Sequence, residues 1–155
     1  MGALPMNSTD TDYPPPEWSV GKRAELHKTI LPADLEDYTR LMRGNGETVE
    51  KTQPSHPSHA ERLVVPTMFL GGLIGAVIHQ YFCRGGAVCL NQYLEFIAPA
   101  FTGDTVKAVL EVDHIQTDRP ILRLKTACTN QNGQALVTGQ AVILMSQGGE
   151  PQSRS

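Results

Sequence analysis

Residues 64–82, VVPTMFLGGLIGAVIHQYF, are an almost unbroken apolar run, and hiding it is the first condition any fold of this chain must meet. Pro66 and Thr67 read as a helix start, and Cys83-Arg84-Gly85-Gly86 as its stop. A helix this apolar all round has no polar face to give to water, so it must be covered on most sides. A membrane or a sheet could do this. Crossing a bilayer takes about 20 apolar residues, whereas only residues 68–78 are free of Pro66 and Thr67 on one side and His79 and Gln80 on the other. The sequence therefore predicts one long central helix wrapped by a sheet. Gly71, Gly72 and Gly75 each cost about 1 kcal/mol against Ala inside a helix, an expense offset if they let a strand backbone or a ligand approach closely.

The remaining elements follow in order. Residues 1–18, with Pro14-Pro15-Pro16, are expected to form a flexible arm that packs, if at all, through Tyr13 and Trp18. Residues 19–146 form the folded domain, and 147–155 a flexible tail. A first strand falls within 19–31, where Leu26, Lys28 and Ile30 alternate with Glu25, His27 and Thr29. Pro32 then opens a short helix with Asp34, Glu36 and Asp37 at its positive end. Leu35, Tyr38, Leu41 and Met42 share one of its faces, and Gly44-Asn45-Gly46 stops it. Residues 47–62 are a polar loop carrying Pro-Ser-His twice, longer than the roughly 12–15 residues usual in a compact domain, which marks it as a functional or a disordered connection. Four strands follow the central helix, at 87–97, 104–115, 121–130 and 134–146, and Asn132-Gly133 marks a hairpin between the last two. The last three are expected to form an antiparallel meander.

Composition removes several functions. A formal net charge of −3 offers no basic surface for phosphate backbones, so nucleic acid is not an expected partner. Cys83, Cys89 and Cys128 lack metal-ligand spacing and read as reduced, buried thiols; no metal and no cofactor are expected. His79 reads as a core or interface histidine, His114 beside Asp113 is too little for a metal site, and Asp104 reads as a turn residue. No basic-then-apolar leader opens the sequence, which places the expected protein in the cytoplasm.

Phe96-Ile97-Ala98-Pro99-Ala100-Phe101-Thr102-Gly103-Asp104-Thr105-Val106 resembles the F-x-x-P-V-x-x-G-D-T-[VL] segment of the MaoC-like dehydratases, or (R)-specific enoyl-CoA hydratases. Thr129 to Gly133 followed by Val137, Gly139 and Ala141 resembles their last hairpin. The resemblance implies an α+β hot-dog fold, a curved antiparallel sheet wrapped around one long central helix. It also implies a small-molecule acyl thioester as substrate. Because a single sheet of this kind leaves an edge strand open, a homodimer with the two sheets continuous is expected.

The family's chemistry lies in a D-x-N-P-x-H motif before the central helix and a V-H-G-M-L-like helix start. Without gaps, this chain has Gly44, Gly46 and Val49 where the family has Asp, Asn and His, and Pro66 and Thr67 where it has His and Gly at the helix start. A one-residue shift offers Asn45 for the Asp. Matching Gln53-Pro54-Ser55-His56 to N-P-x-H keeps a histidine but places Lys51 at the carboxylate position. The resemblance thus leaves His56, His59 and Asn45 as candidate catalytic residues, and Thr67, Met68, Gly71 and Gly75 as the expected substrate wall, with Gly75 standing where the family has Ser. Two classes of function remain open: a rewired lyase, cyclase or isomerase acting on an acyl thioester or polyketide-type unsaturated chain, and a non-catalytic acyl-binding protein. A thioesterase with its carboxylate on the central helix is disfavoured, because residues 64–82 contain no Asp or Glu.

Overall fold

Alternation along the later strands decides how the chain folds. In β3 (Thr105–Ile115), Val106, Ala108, Leu110 and Val112 are buried while the residues between them are only partly covered. In β4 (Ile121–Thr129), Leu122, Leu124, Thr126 and Cys128 do the same. A period of two puts these sets on one face of a sheet, and that face needs an apolar partner. The computed structural model of the chain describes residues 18–44, 62–83 and 87–145, and it supplies the partner in α2 (Thr67–Val77). This helix packs across β1 (Arg23–Thr29), β3 and β4.

The sheet is five-stranded and antiparallel, in the order β1-β3-β4-β5-β2, where β2 is Val88–Phe96 and β5 is Ala135–Leu144. The expected meander β3-β4-β5 is therefore present, with β1 added on one side and β2 on the other. β2 pairs with β5 from Val88↔Leu144 to Phe96↔Val137, with a register shift between Cys89 and Asn91. Before α2 comes α1 (Pro32–Met42), where the Asp34 carboxylate accepts the Leu31 N–H at 2.8 Å and meets Lys28 at 3.0 Å.

The covering of the central helix departs from the sequence-based expectation. α2 is covered on one side only. Leu70, Leu73, Ile74 and Val77 are buried, as are Ile78 and Phe82 in the π turn Ile78–Phe82 that continues the helix. Burying side chains of this kind contributes roughly 1.5–3 kcal/mol each, more than the glycines cost. The opposite side, with Thr67, Met68, Gly72 and His79, is exposed. His79 is thus not a core residue. In α1, none of Leu35, Tyr38, Leu41 and Met42 is buried, and Leu41 and Met42 are 72% and 67% exposed.

The thiols are free, but only Cys128 is buried; Cys83 is half-buried and Cys89 exposed. Burial pushes the Cys128 thiol up to about 12. Trp18 stacks on Phe82 with ring centroids 4.3 Å apart, so the aromatic anchor expected at the start of the domain is in place. The remainder of the arm, the tail and residues 45–61 lie outside the described residues. No described helix is long and apolar enough to cross a membrane.

Candidate functional site

The uncovered sides of α1 and α2 face one another across a cavity of about 660 Å³, within the roughly 300–1,000 Å³ typical of small-molecule sites. Tyr38 and Met42 enter it from α1, and Met68, Phe69, Leu73 and the three helix glycines from α2. Gln92 adds one polar group from β2. Tyr38 meets Phe69 edge to face at 5.8 Å, closing one wall. Two of the four residues on the apolar α1 face, Tyr38 and Met42, are therefore cavity wall, while Leu35 packs against the core and Leu41 is exposed.

The glycines divide by role. A Cβ on Gly71 would come within 2.9 Å of Leu94 Cδ1, so Gly71 lets the helix sit against β2. Cβ atoms on Gly72 and Gly75 would meet nothing within 4 Å. Packing in the described structure does not require these two to be glycine; what their missing side chains leave is cavity.

Next to the cavity-lining Met68, α2 begins without a side-chain cap from the described residues. Pro66 occupies the N-cap position at φ −55°, ψ 135°, no side chain caps the helix, and its first turn has no acidic residue. The Phe69 N–H bonds to the Pro66 carbonyl at 2.9 Å, while the N–H groups of Thr67 and Met68 have no partner among the described residues. A helix start of this kind presents open donors and the positive end of the peptide dipoles. It can hold an oxygen on which negative charge develops.

Residues 62–65 deliver the chain to this helix start, and they lie against the turn that precedes β3. Val64 bridges Phe101, the Val65 N–H bonds to Ala100 O at 2.9 Å, and the Thr102 N–H bonds to Leu63 O at 2.9 Å. The Leu63 N–H reaches Thr102 Oγ1 at 2.9 Å. Asp104 holds the turn itself. Its carboxylate accepts the Phe101 N–H at 2.9 Å and Gln131 Nε2 at 3.0 Å, and it pairs with the Arg62 guanidinium. Burial alone would push the Asp104 carboxyl up, but the hydrogen bonds from Gln131 and Phe101 and the Arg62 charge together hold it below the usual carboxylate range. Gly103 sits at φ +91°, a backbone conformation that explains a glycine before this Asp. Asp104 is thus more than a turn residue. It is 3% exposed and joins three separate stretches of chain.

Of the residues singled out in the sequence, Met68, Gly71 and Gly75 line the cavity, while Thr67, next to Met68 in the chain, is exposed and is not one of its lining residues. His56, His59 and Asn45 lie outside the described residues. Tyr38, Met42 and Gln92 were not anticipated as site residues. The apolar stripe of α1 carried a signal for the first two; nothing local marks Gln92. Among the described residues no group of three His, Cys, Asp or Glu side chains is placed to hold a metal.

No protein-family model matches the chain. An (R)-specific enoyl-CoA hydratase of Aeromonas caviae is 34% identical over 131 residues, covering 80% of this chain and 92% of that protein. Among solved structures, an (R)-hydratase from A. caviae superposes with a TM-score of 0.70 at 30% identity, covering 85% of this chain and 100% of that one. A MaoC-like dehydratase from Rhodospirillum rubrum shares the fold with a TM-score of 0.60 at 15% identity, over 83% of this chain and 93% of that one. With its antiparallel sheet, its central helix and a relative this similar along most of both lengths, the chain belongs to the (R)-specific enoyl-CoA hydratase and MaoC-like dehydratase family of hot-dog proteins.

Proposed function

We propose that this protein is a hydratase or dehydratase of acyl thioesters with a rewired acid/base group, acting on chains bulkier than a short enoyl unit. The observation that carries this reading is the apolar cavity beside an uncapped helix start, widened where Gly72 and Gly75 leave it open. In the hydration direction, a base takes a proton from water, the hydroxide oxygen bonds to C3 of the enoyl thioester, and a proton is delivered to C2. Negative charge passes through the thioester oxygen, which the Thr67 N–H is suited to receive.

The Asp of the family motif has no counterpart at the gapless position, so another group must move the protons. His56 and His59 are assigned this role because an unperturbed imidazole titrates near neutrality, at about 6.5. Asn45 is assigned to orienting the water. The same cavity suits cyclisation or isomerisation of a polyketide-type unsaturated chain, which positioning alone can accelerate by roughly 7–11 kcal/mol where two groups must meet. The working unit is proposed to be a homodimer joined along β2, whose Val88, Leu90, Tyr93 and Phe96 are 52%, 53%, 61% and 41% exposed.

The test is turnover of a series of enoyl-CoAs from crotonyl-CoA to long and polyunsaturated chains. Slow hydration of crotonyl-CoA and faster hydration of longer chains are expected. Gly75→Leu should shift the optimum toward shorter chains, and His56→Ala or His59→Ala should cost about 10²–10⁴-fold in kcat, the usual contribution of a general acid or base. Tight binding of the whole series without turnover would make the protein an acyl carrier or structural partner instead. Full activity in both histidine variants would remove the loop histidines from the mechanism.

A further inference from the structure

The turn at 100–104 is already closed without Arg62. Asp104 accepts the Phe101 N–H, its own N–H returns to Phe101 O at 3.1 Å, and Gln131 ties the carboxylate to the β4–β5 hairpin. Arg62 adds a link of a different kind. Its Nε donates to Thr102 O at 3.3 Å, its guanidinium pairs with Asp104, and it lies over the Phe101 ring at 5.8 Å. These contacts add to a turn whose main-chain bond is already made. They fasten the chain entering α2 to a point fixed by the sheet.

That fastening matters because of how α2 is otherwise held. Its buried side chains make apolar contacts, whose driving force is non-directional and fixes the aim of individual N–H groups less sharply than hydrogen bonds do. No side chain among the described residues caps its start. Among the described residues, the directional restraints on the chain just before the start are the bonds of Leu63, Val65 and Arg62 to the turn, beside a long Cys128 Sγ–Leu70 O contact of 3.9 Å within the first turn of α2; between Val65 and Thr67 stands only Pro66, whose ring restricts φ. Residues 62–65 therefore help to set the position of the Thr67 and Met68 N–H groups, which have no partner among the described residues.

We propose that Arg62 and Asp104 are positioning residues for this site: by clamping residues 62–65 onto the 100–104 turn, they hold the open N–H groups of Thr67 and Met68 where the developing charge of the substrate must be met. This inference rests on the hydration reading given above. Neither residue lines the cavity, so their loss falls on the step in which the thioester oxygen gains charge and spares the binding of the acyl chain.

The experiment is Arg62→Gln in the full chain, read in two ways. On whichever enoyl thioester the native protein turns over, kcat is expected to fall about 10²-fold, the scale of a misplacement near 1 Å, while KM changes by less than about threefold. Added millimolar guanidinium should restore part of the rate, since the Arg62 side chain is 54% exposed and its place is reachable from solvent. Arg62→Lys, which keeps the charge but not the fork, should fall between the two. The second reading is amide hydrogen exchange, which should quicken at Leu63 and Val65 in Arg62→Gln and stay unchanged in β3, β4 and β5. A rise in KM that accounts for the lost kcat/KM, or unaltered exchange at Leu63 and Val65, would overturn the proposal. If the native protein turns over nothing, the hydration reading falls alone. Exchange at these two amides, with and without guanidinium, then decides whether the clamp exists.

Discussion

Asp104 concentrates several demands in one side chain. A carboxylate almost fully removed from water is costly unless each oxygen is engaged, and here both are, by a main-chain N–H, a side-chain amide and a guanidinium. Because these partners favour the ionised form, the folded-state pKa lies below that of the unfolded chain. A depressed carboxylate stabilises the fold fully above its unfolded value, about 3.9 for Asp, and this contribution is lost as pH falls through the native value. Asp104→Asn should therefore cost about 1–3 kcal/mol near neutrality, the penalty for leaving buried partners unsatisfied. Its deficit in urea unfolding should shrink below about pH 4, once the native carboxylate protonates as well. A deficit constant across that range would mean that the charge of Asp104 contributes nothing.

At the scale of elements, the contact between β2 and β5 is the least forgiving. A Cβ on Gly139 would lie 1.9 Å from the Tyr93 carbonyl oxygen, and this obstacle is backbone that cannot rotate aside. Gly139→Ala should destabilise by more than about 2 kcal/mol, measured as a lower urea midpoint; an unchanged midpoint would show that β2 yields freely. The four later strands were legible in the sequence to within two residues, because alternation and turn residues are local signals. What depended on distant chain was not legible. The stripe Leu35, Tyr38, Leu41 and Met42 reads the same whether a core or a cavity lies over it. Arg62 reads as the end of a polar loop because its partner is 42 residues away. The π turn at Ile78–Phe82 brings His79 and Gln80 into the apolar run, but these residue types do not distinguish a widened turn from an ordinary helix end.

At the scale of the whole molecule, the two margins of the sheet differ in chemistry. Along β1 the margin carries Arg23, Glu25, His27 and Lys28, tied to neighbours by ion pairs such as Arg23–Glu111 at 2.6 Å and Lys107–Glu25 at 3.2 Å. Along β2 it carries Leu90 and Tyr93, both more than half exposed. Leu90→Asp with Tyr93→Lys should convert the proposed homodimer to a monomer in light scattering, with little change in the stability of the single chain, since exposed positions tolerate substitution within about 0.5 kcal/mol. A native protein that is already monomeric at micromolar concentration would refute the dimer. The unequal margins also bear on how far assembly can run. Open, apolar edges invite strand after strand to add, but β2 joined to a second β2 by a two-fold axis uses up both adhesive margins and leaves a charged β1 at each end. Growth then terminates at two copies, and the arrangement that builds the pair also protects it from becoming a fibre.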